Sequence, residues 1–553
     1  MARRHGGQIL VDQLKQQGVT RVFSVPGESF LAALDGLHGS DIENIVCRHE
    51  GGAAMMAEAH GKLTGRPGVC FVTRGPGATN ASSGIHVAMQ DSTPMVMFVG
   101  QIARGHRDRG AFQEVDYRAF FAPLAKWVAE VDRTERLPEY ISRAFHVARS
   151  GRPGPVVLAL PEDMLSATAD VPDIAPANPA EADLCPAQAG DIMARLAAAA
   201  RPLVVVGGQW SARTAADLRR FAEMNDLPVA ADFRRQDYMD NRSRCYVGDL
   251  GVGMNPKLAE RMRNADCLLV IGARLGDIAT AGYELVNPAV PHPAILHIHP
   301  DPDEPGTVYR PALAAVATPE NALIALCKVP PVDSSPWAAW RRAARAGYEA
   351  WRTPQESPGM VKLEEIVLWL SDNLPRDTIL ANGAGNYGAW LHRYFLFREY
   401  GTQLAPTSGS MGYGFPAAIA ASLQHPERMV VCLAGDGDFQ MTLNELSTAI
   451  QHDARPIVIV ANNGRYGTIR MHQEKRYPGR VSGTDLANPD FAVLVRAYGG
   501  HGEAVERTAD FAPAFARARE SGTVAVIELR LDPEALATGM TLSEARRIGE
   551  TGG

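Results

Sequence analysis

Short continuous apolar runs recur along the chain, separated by segments whose apolar residues return every three or four positions. In the N-terminal third the runs are VCFVT at 69–73, PMVMFVG at 94–100 and PVVLALP at 155–161. The middle third carries PLVVVGG, CLLVIGA and AILHIH; the last third carries TILAN, MVVCLAGDG, PIVIVANNG and VAVIELRL. Runs without alternation suit strands covered on both faces, and the helix-period segments between them predict parallel βαβ crossovers. Two stretches break this rhythm: the Pro- and Ala-rich 168–188, and the stretch from VPPVDSSP to TPQESPG with a Trp- and Arg-rich helical patch, Trp337 to Trp351, inside it. Read as connectors, they leave an α/β chain of three doubly wound parallel-sheet domains, 1–167, 189–328 and 358–553. No short-period repeat is visible, and the first and third blocks are compatible with one shared topology.

Composition narrows the functional classes. Among 553 residues, 62 acidic against 55 basic side chains give no field that would hold a polyanion, which argues against nucleic acid. The seven cysteines are scattered with no CxxC pair, as expected for buried thiols in a reducing cytoplasm. No apolar run approaches the ~18 residues of a membrane span, and the N-terminal MARRHGGQILVDQLKQQG turns polar too soon for a signal peptide. A cytoplasmic protein with no membrane partner is expected.

Ligands of open parallel sheets bind beyond the carboxyl ends of strands, where helix N-termini point at them. The strongest such place is MVVCLAGDGDFQMTLNELSTAIQHDARPIVIVANNGRYG. There one strand is expected to end at Ala434, Gly435-Asp436-Gly437 to make a sharp turn, a helix to start near Thr442, and a second strand to end at Ala461. Asp436 and Asn463 stand 27 residues apart, about one strand–helix–strand unit, so adjacent strands would bring their oxygens together. A carboxylate, an amide oxygen and a backbone carbonyl, placed at Arg465, are hard donors suited to Mg²⁺ and a diphosphate. The glycines let main-chain N–H groups approach that phosphate. Alone, GDG is a tight turn and NNG a hairpin signal; their spacing after two apolar strands favours the diphosphate–Mg²⁺ reading. His297-Ile298-His299 puts two imidazoles on one strand face but lacks a third ligand at metal spacing.

GDG followed by NN at this separation resembles the cofactor motif of thiamine diphosphate enzymes. The segment ENIVCRHEGGAAMMAEAHGKLTGRPGVCFVTRGPGATN resembles their pyrimidine-binding domain. GPGATN at 75–80, AFQE at 111–114 and SGSMGYGFPAA at 408–418 are further similar to the acetohydroxyacid synthase branch. The resemblance implies the order pyrimidine-binding, middle and diphosphate-binding domain. It implies a catalytic Glu50 that hydrogen-bonds N1′ of the aminopyrimidine; a partly buried carboxyl with a raised pKa suits that proton sharing. It implies Gly409 as acceptor for the N4′ amine, Met411 as the wedge between the two rings, and Gly435, Asp436, Gly437, Asp438 and Asn463 around the diphosphate. Gln113 matches an active-site glutamine that donates to substrate oxygen, and Lys126 matches a lysine near the entrance.

In the middle domain, Gly272-Ala273-Arg274-Leu275-Gly276-Asp277-Ile278 departs from the branch's flavin-holding turn. Gly276 replaces an acid and Ile278 an arginine, and His299 replaces the acid after the next strand. FAD, an adenine nucleotide and an empty pocket all stay open. His472 stands where the branch carries a tryptophan that helps choose the second substrate, with Arg470 nearby as a candidate for a carboxylate or phosphate. The implied reaction is ThDP- and Mg²⁺-dependent decarboxylation of a 2-oxo acid, followed by carboligation to a second carbonyl compound. Aldehyde release or acyl-CoA cleavage, and flavin-linked oxidation, are the alternatives. The implied assembly is a homodimer or homotetramer in which Glu50 and Asp436 of one site come from different subunits.

Overall fold

The computed structural model describes residues 3–290 and 292–552. Three six-stranded sheets, all parallel within themselves, carry helices on their faces. The first runs Glu43–Val46, Arg21–Ser24, Gly68–Val72, Met95–Gln101, Pro155–Pro161, Trp127–Glu130. The third runs Gln403–Leu404, Ile379–Asn382, Val430–Gly435, Ile457–Asn462, Ala525–Arg530, His501–Val505. Numbered along the chain, both are 2-1-3-4-6-5, so the first and third blocks do share one topology. The middle sheet is 3-2-1-4-5-6: Tyr246–Asp249, Val229–Ala231, Pro202–Val206, Cys267–Ile271, Ala294–His299, Leu313–Val316. This is the doubly wound order of dinucleotide-binding folds.

Every apolar run singled out in the sequence is a strand. The central ones, such as Met95–Gln101 and Pro155–Pro161, are buried at every residue. Around Asp436 the expectation needs correcting: a helical turn, Asp436–Phe439, begins at once, followed by Leu443–Glu445 and Leu446–Gln451. Two carboxylates in that first turn favour an early helix start. The first connector is also shorter than expected. Cys185 accepts from the Gln188 N–H and caps a helix that already begins at Pro186.

The first and third domains share a single apolar core. At its centre the helix Glu50–Thr64 packs on Gly414–Gln424. Both are rich in Ala and Gly, buried almost all round, and lack the stripe of a surface helix. Small side chains let their axes approach, and a buried Glu58–Lys62–Asp91 cluster on the first domain reaches across the seam to Ala405, Thr407 and Tyr413. Among the described residues no helix is long and apolar enough to cross a membrane.

Candidate active site

In the third sheet the winding direction reverses between Ile379–Asn382 and Val430–Gly435. Loops leave both strands there and diverge, opening a crevice. Every cofactor and metal residue expected from the sequence lines one cavity of about 240 Å³ at this place: Gly409, Met411, Gly435, Asp436, Gly437, Asp438, Asn463 and Arg465. Strand pairing puts Gly435 beside Ala461, so Asp436 and Asn463 leave neighbouring strands side by side.

Asp436 is buried and held on all sides. Its Oδ1 accepts from the Gly437 N–H at 2.9 Å and its Oδ2 from the Asn488 side-chain amide at 2.7 Å. Burial pushes this carboxyl above its ordinary value, while the Asn488 amide and the main-chain N–H groups of Gly437, Gly464 and Arg465 pull the other way. Asn488 also donates to Asn462 Oδ1 at 2.8 Å, fixing the NNG loop against the GDG turn. Gly437 has to be glycine, because a Cβ there would stand 2.5 Å from the Tyr466 ring. At Gly409, by contrast, a Cβ would meet open space, and it is the left-handed φ of +67° that favours glycine.

Asp438 forms part of the cavity wall, but its oxygens are engaged within the protein. They accept from Gly412 N–H at 2.7 Å, Ala384 N–H at 3.3 Å and the Tyr387 hydroxyl at 2.7 Å. Burial brings this carboxyl up to about 6. Asp438 thereby ties the loop bearing Met411 to the loop after Ile379–Asn382. Gly383 gives it room, since a Cβ there would overlap the carboxyl.

Glu50 and Gln113 do not line this cavity. They form a second cluster in the first domain, on the turn Gly75-Pro76-Gly77. Glu50 begins its helix half-buried and accepts from the Asn80 amide at 3.0 Å; a Cβ on Gly77 would lie 3.1 Å from its Oε1. Gln113 sits at φ +64°, its Cβ 2.7 Å from where a side chain on Gly75 would begin. Glu445, fully buried, sets the position of Glu50 from below by accepting from the Arg48 and His49 N–H groups. Glu50 and Gln113 thus stand outside the cavity that Asp436 lines.

Two expected residues have other duties. Lys126 donates to the Val147 and Ser150 carbonyls at 2.6 and 2.5 Å, closing the end of the helix Leu137–Arg149, and burial brings its ammonium down to about 8. Arg470 is buried and donates to Glu474 at 3.0 Å, with Arg546 on the same carboxylate, so it is no free anion receptor. His472 is exposed on the helix Gly467–Arg476, one turn beyond Ile469 of the cavity mouth. Sequence reasoning missed Asn488, Tyr387 and the Gly383–Asn386 loop. For the loop a signal existed, the glycines of NGAGN directly after the TILAN strand; Asn488 and Tyr387 lie in no recognisable motif.

Comparison with known proteins agrees with this arrangement. Residues 4–120 match the family model "Thiamine pyrophosphate enzyme, N-terminal TPP binding domain", 190–326 the central domain and 383–529 the C-terminal TPP binding domain. The chain belongs to the thiamine diphosphate enzymes. Within them it is acetolactate synthase-like. It is 32% identical over 507 residues to the acetolactate synthase isozyme 2 large subunit of Escherichia coli, covering 91% of each chain. Identity is 31% over 541 residues to the large subunit of Corynebacterium glutamicum, covering 94% of this chain and 85% of that one. It is also 31% to the mitochondrial catalytic subunit of Saccharomyces cerevisiae, over 91% of this chain and 77% of the other. As a member of this group, the protein is a thiamine diphosphate-dependent, acetolactate synthase-like enzyme.

Proposed function

We propose that the protein decarboxylates a 2-oxo acid and joins the retained acyl fragment to a second carbonyl compound, using Mg²⁺ and a site completed by a second copy of the chain. The observation that carries this reading is the convergence of Asp436, Asn463 and Arg465 with Gly409 and Met411 on one cavity. The donor chemistry fits a magnesium diphosphate. Among the described residues no group of three or more His, Cys, Asp or Glu is placed to hold a metal. A cation here would rely on one carboxylate, the Asn463 amide oxygen, the Arg465 carbonyl and the ligand's own phosphate oxygens, which is how Mg²⁺ is commonly held.

When bound, thiamine diphosphate would supply a nucleophilic ring carbon for the 2-oxo carbonyl and a sink for the electron pair left when CO₂ departs. The protein's share is positioning and proton handling. Asp436 and Asn463 would hold the metal, and the Gly437 turn would bring main-chain N–H groups to the phosphate. Met411 would pack against the cofactor's rings and the Gly409 carbonyl would accept from its amine, a proximity effect. The Glu50 carboxyl would hold a proton on the aminopyrimidine and so favour its amine as a base. Gln113 donates to the substrate oxygen on which charge develops. The separation of Glu50 and Gln113 from the Asp436 cavity supports a site formed between subunits.

The position of His472 near the mouth supports an acceptor other than the 2-oxobutyrate of branched-chain synthesis, since the bulky indole is replaced by a smaller polar ring. Purified protein supplied with ThDP, Mg²⁺ and a panel of 2-oxo acids, with CO₂ release measured and products identified, tests both parts. Acyloin or acetohydroxy acid products support carboligation. Free aldehyde alone would make the enzyme a simple decarboxylase, and rapid, strongly preferred acetohydroxybutyrate formation would remove any role for His472.

A further inference from the structure

We infer that the crevice of the middle domain is divided and occupied by the chain's own groups and does not accept FAD, so this enzyme works without flavin. The middle sheet reverses its winding between Pro202–Val206 and Cys267–Ile271. On such a sheet a dinucleotide lies across that reversal, with its diphosphate on the N-terminus of the helix that follows the first strand. Here that helix is Ala212–Met224, capped by Ser211. Its N-terminus already carries an internal anion. Glu320 Oε2 accepts from the Ser211 hydroxyl at 2.9 Å and from the Thr214 hydroxyl at 3.4 Å, and Arg213 stands 3.7 Å from its other oxygen. A diphosphate would have to displace Glu320 or face it across a few ångströms, where like charges repel strongly.

The loop between strand and helix is closed as well. A Cβ on Gly208 would lie 2.6 Å from the Gly272 carbonyl oxygen, and one on Gly272 would overlap the Gly207 carbonyl. The two loops that should part at the reversal are in contact. Trp210 and Tyr238 lock this arrangement, the indole N–H donating to the Gly207 carbonyl at 2.5 Å and the phenol to the Gly208 carbonyl. Asp232, at the end of the second strand, lies over Gly207, its Oδ2 3.0 Å from where a Cβ would be. Cavities of about 230 and 160 Å³ lie on either side of Gly208 and Gly272, where a dinucleotide needs one continuous trough. Three arginines on the walls are engaged: Arg274 with Glu304 at 3.0 Å, Arg152 with Ser92 at 2.8 Å, and Arg235 with the Asp91 carbonyl at 2.9 Å. The strand Ala294–His299 ends on His299 where the resemblance leads one to expect an acid, and its Nδ1 accepts from the Asp301 N–H at 3.1 Å.

The inference is independent of the thiamine site, and its test reads a different signal. The full-length protein, purified from cells grown with riboflavin, is examined by visible absorption and by chromatography of the supernatant after denaturation. Separately it is titrated into FAD while flavin fluorescence is followed, and CO₂ release with ThDP and Mg²⁺ is measured with and without added FAD. The expected result is a colourless protein, no flavin in the supernatant, unchanged FAD fluorescence and unchanged turnover. FAD near one per chain, saturable quenching, or turnover that requires FAD would overturn the inference while leaving thiamine diphosphate binding untouched.

Discussion

Replacing Asp91 by alanine should damage both stability and cofactor binding, although Asp91 lies outside the cavity that holds Asp436. Its buried carboxylate accepts from the Lys62 ammonium, from the Thr407 hydroxyl and, at 2.7 Å, from the Thr407 N–H. Lys62 also donates to the Ala405 carbonyl, and Arg234 of the middle domain to the Pro406 carbonyl at 2.6 Å. The loop that ends in Gly409 and Met411 is therefore moored through Asp91 and its neighbours. Removing one partner of a buried ion pair costs about 3–5 kcal/mol, because the other charge stays buried. Glu58, 3.4 Å from Lys62, compensates in part and places the cost near the lower end, about 3 kcal/mol. Lys62 holds Asp91 below the usual carboxylate range although burial opposes it, whereas burial pushes Glu58 up. Asp91→Ala combined with Lys62→Met should thus be less destabilised than the two single changes summed. Urea unfolding followed by tryptophan fluorescence reads the stability, and calorimetric ThDP titration reads the site. An Asp91→Ala protein within about 0.5 kcal/mol of wild type, with unaltered ThDP affinity, would refute the reasoning.

Three further outcomes follow from the geometry. Asp436→Ala and Asn463→Ala should lose ThDP affinity in calorimetry, whereas Glu50→Gln should retain it and lose turnover by about 100-fold or more; normal exchange of the cofactor's ring proton in Glu50→Gln would contradict the role given to Glu50. Gly383→Ala should weaken ThDP binding without touching the ligand, because the new methyl pushes Asp438 from Gly412, at a cost of about 1–3 kcal/mol; unchanged affinity would show that Asp438 does not set the Met411 loop. Asp249, raised by burial to about 7, holds a proton in the folded chain that the unfolded chain releases near 4, so its contribution to stability is complete at acid pH and fades as pH rises through about 7. Asp249→Asn keeps the acceptor for Gln236 and should stabilise the protein at pH 8 but not at pH 4, as read by unfolding at both pH values.

The central strands were legible because burial on both faces leaves only apolar residues, as in VVCLAG and PVVLALP. The outer strands were not. Leu313–Val316 is apolar but short and alanine-rich, with exposed positions alternating in it, Gln403–Leu404 spans two residues, and His501–Val505 carries a histidine and a glutamate. At the site, side chains that meet a ligand sit in glycine-rich turns at strand ends and stood out. Those that only hold other side chains did not: Asn488 bridges Asp436 and Asn462 across a distance in sequence that no spacing rule covers. Arg470 misled for the same reason, since its partner Glu474 is shared with Arg546, near the other end of the domain.

The central claim is that each active site joins the Glu50 cluster of one chain to the Asp436 cavity of another. Inactive Glu50→Ala and Asp436→Ala proteins, mixed in equal amounts under conditions of subunit exchange, test it by turnover on a 2-oxo acid. Random re-pairing makes about half the dimers mixed, each with one unmutated site, so about a quarter of wild-type activity should return. Confirmed exchange with no recovered activity would contradict the account and place both halves of the site in one chain.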